Sequence, residues 1–419
     1  MFNQYFYKLL SFFFIFLAWP SINFAGLNIT FILFLLIAKY FNDHNIKLFD
    51  KESNLSVIFI IFGIFAIISS FNAPKMDRFF DSEFFKYKII IQQVFWIIIS
   101  LFVIKNLKKI SYYKISEFLF YGIILLNLNF YLFNFNAPPP FKFNLNRNTY
   151  VFSMVALFPV VSYYVNHKYG FKGLWFFITT VLFLVLLSNG RAGALLILGE
   201  VFLIYGIFNK SAVTFFKVFL FSIIIFNIFI SQFIDIEQLR KEASKPFAQI
   251  SPRISELISG EGDAGDLETD RSWLIRELMI EKGFEIFKKY PFLGIGLFNF
   301  SNYDAQLDAL YTNETFSAVL FGQSKGADQY NDKSAHNSYV QLICENGIIG
   351  FILYLIIALP LVIHFLKKIL LNDISFEDGP LMSFFFLSIY FYAIASLMGT
   401  LTYLIIGMAY VSKNKQIKF

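Results

Sequence analysis

The chain is short of charge. Asp, Glu, Lys and Arg make up 15% of its 419 residues against 57% hydrophobic residues, and the mean hydropathy is +0.61. So little charge excludes the usual solvated surface of a water-soluble fold, and the composition is that of a polytopic membrane protein. Cysteine is all but absent: Cys344 is alone, which excludes an intramolecular disulfide, and its place in an apolar run says little about redox compartment. A small-residue cleavage site is missing after the first apolar segment, which is therefore expected to be a retained span rather than a signal peptide. The net charge of +6 and pI near 9.0 would suit a nucleic-acid binder. The cations, however, are spread in short clusters between apolar runs and read as topology signals, so no nucleic-acid partner is expected.

What is present is a series of apolar runs near the ~20 residues that cross a ~30 Å hydrocarbon core. They predict spans at about 5–20, 22–40, 55–71, 88–104, 117–134, 149–165, 173–189, 192–208, 213–232, 338–366, 380–396 and 398–411. The fold class expected is all-α, a transmembrane helical bundle of about twelve spans, because isolated spans must satisfy their own backbone and the alternation of barrel strands is missing. With the N-terminus inside, cytoplasmic loops hold Lys47, Lys51, Lys105, Lys108, Lys109, Lys114, Lys168, Lys172, Lys210, Lys367, Lys368, Lys413, Lys415 and Lys418. The opposite short loops hold only Lys75, Arg78, Lys86, Lys88, Lys142, Arg147 and Arg191, so the bias favours this orientation. One integrated membrane domain is expected, divided into a bundle of about nine spans (1–232), an exoplasmic and mostly helical loop subdomain (233–337) and C-terminal spans (338–419).

Within the loop, Ser259–Asp266 is acidic and glycine-rich and reads as mobile. A helix is predicted after it, capped by Thr269 or Asp270, with Leu274, Ile275, Leu278, Met279, Ile286 and Phe287 at helical spacing until Tyr290-Pro291 stops it. Gly294-x-Gly296 follows; without a Rossmann strand-turn-helix context it is weak support for phosphate binding. Three groups then fall on one side of the membrane: Arg191 in Ser188-Asn189-Gly190-Arg191-Ala192-Gly193, Arg271 at the start of the loop helix, and His336 ahead of the next span. Guanidinium groups bind phosphate oxygens in bidentate fashion and stabilise charge growing on a diphosphate leaving group. An imidazole with pKa near ~6.5 is suited to remove the proton of an attacking hydroxyl.

The ordered set Asn146-Arg147-Asn148-Thr149, the Ser188–Gly193 turn, Asp270-Arg271-x-Trp273, Tyr290-Pro291-x-x-Gly294-x-Gly296, His336-Asn337-x-x-x-Gln341 and Glu345-x-Gly347-x-x-Gly350 resembles the O-antigen ligase and polymerase superfamily over about residues 140–355. The resemblance implies an inner-membrane glycosyltransferase of C-type (GT-C-like) architecture, with its site on the periplasmic face and neither cofactor nor metal. It implies an undecaprenyl diphosphate-linked glycan as donor, and lipid A-core or another glycan as acceptor, all within membrane lipid. It implies His336 as general base, Arg191 and Arg271 as diphosphate ligands, and Asn148, Arg147 and Asn337 as substrate-binding residues. Asn189 and Cys344 depart from the family pattern without removing a proposed catalytic group.

Plainer roles stand beside these. Arg191 at a span end has the alternative of a snorkelling anchor, Arg271 of a solvated helix face, His336-Asn337-Ser338 of a helix N-cap, and Asn146–Asn148 of a loop-to-helix start. Glu200, nine residues past Arg191 and ~13 Å deeper at 1.5 Å per residue, is the residue that best fits a transporter. Glu345, about two and a half turns beyond His336, is placed to orient polar groups under the site. Within the enzyme class, the Asn-Arg-Asn start and short tail favour a ligase over a polymerase. A protein O-oligosaccharyltransferase, a transporter and a non-enzymatic export partner are the other readings.

Overall fold

The computed structural model describes residues 4–17, 23–24, 27–28, 33, 35–37, 39, 54–71, 111–132, 141–142, 147–188, 191–210, 213–214, 217, 279–297, 299–300, 303, 335, 337–391 and 400–413. Eight helices carry most of them: α1 (Gln4–Leu17), α2 (Asn54–Phe71), α3 (Tyr112–Leu132), α4 (Arg147–Leu187), α5 (Arg191–Phe208), α6 (Ser338–Leu371), α7 (Gly379–Tyr390) and α8 (Thr400–Lys413). Their bounds fall within a few residues of the apolar runs. The predicted spans at 88–104 and, beyond residue 217, at 213–232 lie outside the described residues, as does the glycine-rich stretch 259–266.

Several helices turn an apolar stripe outward. Ile352, Ile356, Leu359 and Ile363 on α6, and Leu195, Leu198, Phe202 and Tyr205 on α5, recur three or four residues apart and are exposed. A water-soluble fold hides such stripes; a hydrocarbon layer covers them. Two helical stretches, Thr149–Leu187 and Ser338–Leu371, are long and apolar enough to cross a membrane.

Neither stretch is straight. At Gly170 (φ 67°, ψ −170°) and at Gly347 (φ 61°, ψ −173°) the backbone takes the same conformation, one that is essentially reserved for glycine. In α4 the Phe158 and Phe177 rings stack 5.7 Å apart, although nineteen residues of straight helix would separate them by ~28 Å. The helix is thus a hairpin of two arms, 147–169 and 171–187, as the separate spans at 149–165 and 173–189 predicted.

In α6 the outcome differs from the prediction. Tyr339 and Tyr354 have ring centroids 6.2 Å apart, where a continuous helix would hold them ~22 Å apart along its axis. The single span expected at 338–366 is therefore a short arm, 338–346, folded back at Gly347 on a long arm, 348–371. Glu345 consequently lies at the fold-back, not deeper along one descending helix.

A second correction concerns residues 22–40. Instead of one helix, the described part begins with two-residue strands β1 (Asn23–Phe24) and β2 (Leu27–Asn28), joined by β3 (Phe141–Lys142) in an antiparallel ladder of order β2-β1-β3. Asn23 pairs with both Asn28 and Lys142. The all-α expectation holds for the body of the described residues and fails at this ladder, where pairing with neighbouring chain satisfies backbone groups beside helix-disfavouring asparagines.

Packing contacts sort the helices into two ends. At one, the Tyr112 and Tyr163 rings lie 4.8 Å apart, Phe208 and Phe376 5.5 Å apart, and Lys368 Nζ stands 2.8 Å from Asp378 Oδ2. At the other, Phe130 stacks on Tyr150 at 4.2 Å, the Tyr131 hydroxyl donates to the Leu184 carbonyl, and Phe152 meets Phe391 at 6.3 Å. The fold-back gives a direct test. With Cys344→Ala as background, the pair Tyr339→Cys and Tyr354→Cys should be joined by a short bifunctional thiol reagent in folded protein. No crosslink under conditions that join a neighbouring control pair would mean a straight helix.

Candidate functional site

A break in a membrane helix frees backbone carbonyls and amides that lipid cannot satisfy. At Gly347 they are taken up by the segment after the loop helix. Residues 279–289 are helical and end at Tyr290-Pro291, as the sequence predicted. The turn that follows donates Ile295 N–H to the Cys344 carbonyl at 2.9 Å and Gly296 N–H to the Glu345 carbonyl at 2.8 Å, while Ile348 N–H donates to the Pro291 carbonyl at 2.8 Å. Gly294 (φ 71°) and Gly296 (φ 84°) adopt the left-handed backbone this turn needs. Contact is so close that a Cβ on Gly294 would lie 2.5 Å from the Cys344 carbonyl oxygen, and one on Gly347 2.1 Å from that of Phe292. The Gly-x-Gly turn therefore spends two of its amides on a helix break, not on a phosphate.

Side chains complete this node. The Ser69 hydroxyl, near the end of α2, is 2.6 Å from the Leu293 carbonyl and 2.8 Å from that of Glu345, and Ser70 Oγ accepts from Leu297 N–H at 3.2 Å. The loop helix buries Met279, Lys282, Gly283 and Ile286, a spacing that sets a lysine on its inner stripe. Lys282 Nζ lies 5.1 Å over the Phe300 ring. On the outer face, Lys289 pairs with Glu285 at 2.7 Å, which raises the lysine above its ordinary pKa; desolvation raises the neighbouring Tyr303 phenol. The sequence reading missed Ser69, Ser70 and Lys282. A lysine at apolar spacing on a helix was the signal available for the last.

The short arm of α6 starts at the opposite tip of this node. Asn337 is its N-cap: its Oδ1 accepts from Tyr339 N–H at 3.0 Å and Val340 N–H at 3.2 Å. Ser338 N–H donates to the Phe391 carbonyl at 2.8 Å, and Phe391 packs on Phe152 of α4. One residue away, a Cβ on Gly193 of α5 would lie 1.9 Å from Val151 Cγ1. The starts of α4, α5 and the short arm thus meet around Val151 and Phe152. Arg147 and Asn148 occupy the first two positions of α4, and Arg191 the first of α5. His336 directly precedes Asn337 in the chain but lies, with Arg271, outside the described residues.

This convergence can do something specific. Each helix start carries the positive end of its dipole, so three of them together favour an anion, while the first amides of the short arm are already taken by Asn337 and the Phe391 carbonyl. Two arginines are set at these starts by position along the chain, and a guanidinium there would add to the same field. Asn337 brings the prediction of a substrate ligand and its plainer alternative to the same residue: its side-chain oxygen serves the helix cap. Glu200 is fully buried in α5, and neither of its carboxyl oxygens has a hydrogen-bond partner among the described residues.

Apolar outward stripes and broken apolar helices point to the class: a helical membrane protein. A family model matches part of the chain. Residues 174–355 match the family described as O-antigen ligase (Wzy_C), which supports the O-antigen ligase superfamily and bears out the resemblance read from the motifs. The matched stretch runs from the second arm of α4 through α5, the loop and the short arm of α6 into the first two turns of its long arm. It includes Arg191, Arg271 and His336 and begins after Arg147 and Asn148. No curated protein matches the chain.

The cap predicts a graded response at Asn337. Asn337→Ala should cost about 0.5–2 kcal/mol of stability, and Asn337→Ser or Asn337→Asp should recover most of it, as read by thermal unfolding in detergent. Equal loss in all three variants would contradict the capping role.

Proposed function

We propose that the protein is an inverting, metal-independent glycosyltransferase that moves a glycan from undecaprenyl diphosphate to a sugar hydroxyl at the periplasmic face of the inner membrane. The observation that carries this reading is the meeting of three helix starts around Val151 and Phe152, which brings the backbone of Arg147, Asn148, Arg191 and Asn337 to one end of the bundle. It sits inside the wider expectation of about twelve spans in a C-type architecture. The orientation is supported by the opposite end, where Lys114, Lys168, Lys172, Lys210, Lys367, Lys368 and Lys413 stand on described helices or the turns beside them.

In this mechanism the acceptor hydroxyl attacks the anomeric carbon in line with the departing diphosphate. The new carbon–oxygen bond forms as the bond to the diphosphate breaks, the hydroxyl proton passes to His336, and undecaprenyl diphosphate leaves. Arg191 and Arg271 stabilise the oxyanions, and the positive ends of the helix dipoles favour the same charge. Positive charge facing the anionic leaving group is what a divalent cation supplies in other transferases; in this mechanism two guanidinium groups supply it. Arg147, Asn148 and Asn337 line the donor side. The acceptor is lipid A-core in the ligase reading, favoured by the Asn-Arg-Asn start, and a second lipid-linked repeat in the polymerase reading.

Reconstitution with lipid-linked glycan and the two candidate acceptors separates these cases: one-step transfer adds a single block, whereas polymerisation gives a ladder. His336→Ala should abolish transfer, a fall of about 10²-fold or more, with donor binding retained. Arg191→Ala should weaken donor binding and rate together. Full activity in purified His336→Ala protein would refute the mechanism.

A further inference from the structure

We propose that Glu345 is a positioning residue that latches the exoplasmic loop to the short arm of α6 and thereby sets the place of Asn337, which follows His336 in the chain. Four hydrogen bonds meet on it. Its carbonyl accepts from Ser69 Oγ and from Gly296 N–H, both at 2.8 Å, and its Oε1 accepts from Gln341 Nε2 at 2.9 Å and Phe300 N–H at 3.3 Å. The donors come from the end of α2, the turn after the loop helix and the arm itself. A residue only 1% exposed is costly to bury as an anion unless charge answers it. Lys282, also buried, stands over the ring of the same Phe300 whose amide Glu345 holds, so Phe300 lies between a buried cation and a buried carboxyl.

The arm needs this latch because it is short. At nine residues, 338–346 is below the ~12–15 at which an isolated helix becomes even marginally stable, so its position depends on its contacts. Loop and arm also touch at Cys344, whose thiol donates to the Gly283 carbonyl at 3.2 Å, and at Val340, 2.4 Å from where a Cβ on Gly283 would stand. Glu345 binds the far end of the arm; Asn337 caps the near end, next to residue 336. Releasing the far end shifts the near one, and displacements of about 1 Å at a reacting group can cost 10²-fold in rate.

The structural latch stands on geometry alone, while its effect on rate rests on the transferase reading, so two readouts are needed. Cys344 is the chain's single cysteine and is buried against the loop helix, which makes maleimide labelling a reporter free of background. In detergent-purified, monodisperse protein, Glu345→Ala should label at least tenfold faster than wild type, and its kcat for transfer should fall at least tenfold with donor KM within threefold. Glu345→Gln, which keeps an oxygen to accept from Gln341 and Phe300, should stay within threefold of wild type on both counts. If Glu345→Ala does not fold, Gln341→Ala removes one donor and should move labelling and kcat in the same direction by a smaller factor. Unchanged labelling in the alanine variant, a glutamine variant as impaired as the alanine one, or faster labelling with unchanged kcat would each overturn the proposal. Wild-type protein that transfers no glycan would refute the transferase reading, while labelling would still decide the latch.

Discussion

A helix broken at the edge of a hydrocarbon layer must find new partners for the backbone groups the break releases, and this requirement organises the described structure. At Gly347 the carbonyls of Cys344 and Glu345 and the amide of Ile348 are handed to the turn 291–296. That exchange brings a distant segment of the loop back onto the membrane helices. It also draws in the end of α2, whose two serines complete the polar node. The Gly170 break has the same backbone conformation but a simpler outcome: two apolar arms fold against each other.

The two ends of the short α6 arm carry different tasks. At the fold-back, close backbone contact excludes side chains, so Gly294 and Gly347 have no substitute that fits. At the start, Asn337 and Ser338 tie the arm to its own amides and to Phe391, which places it beside the first turns of α4 and α5. Helix starts collected in this way concentrate positive dipole ends at one point. Such a field suits an anionic group, which is what the proposed diphosphate donor would bring to it.

Much was legible in the chain. Hydrophobic run length located the described helices closely, since a span must match the layer it crosses, and the stop at Tyr290-Pro291 came from the backbone limits of proline. Other features were not. The run from 338 to 366 reads as one span because apolar composition does not record direction; only the Asn346-Gly347 pair, a common turn dipeptide, hinted at the reversal. The strands at Asn23–Phe24 and Leu27–Asn28 depend on a partner at Phe141–Lys142, more than a hundred residues away, which no local pattern reveals. Gly294-x-Gly296 read only as a turn with weak support for phosphate binding, because a sequence shows that amides are exposed by a turn but not what accepts from them.

By itself the sequence determined the class of molecule and the approximate limits of the described helices, and it offered residue types whose chemistry suits a diphosphate and a hydroxyl. These follow from solvent transfer energies and side-chain chemistry, which belong to individual residues and short windows. Tertiary structure decided where the chain reverses, that three helix starts share one place, and that Glu345, Ser69 and Lys282 belong to one node. Those facts depend on pairs of residues up to 276 apart, such as Ser69 and Glu345, whose meeting is a property of the packed chain and of no segment within it.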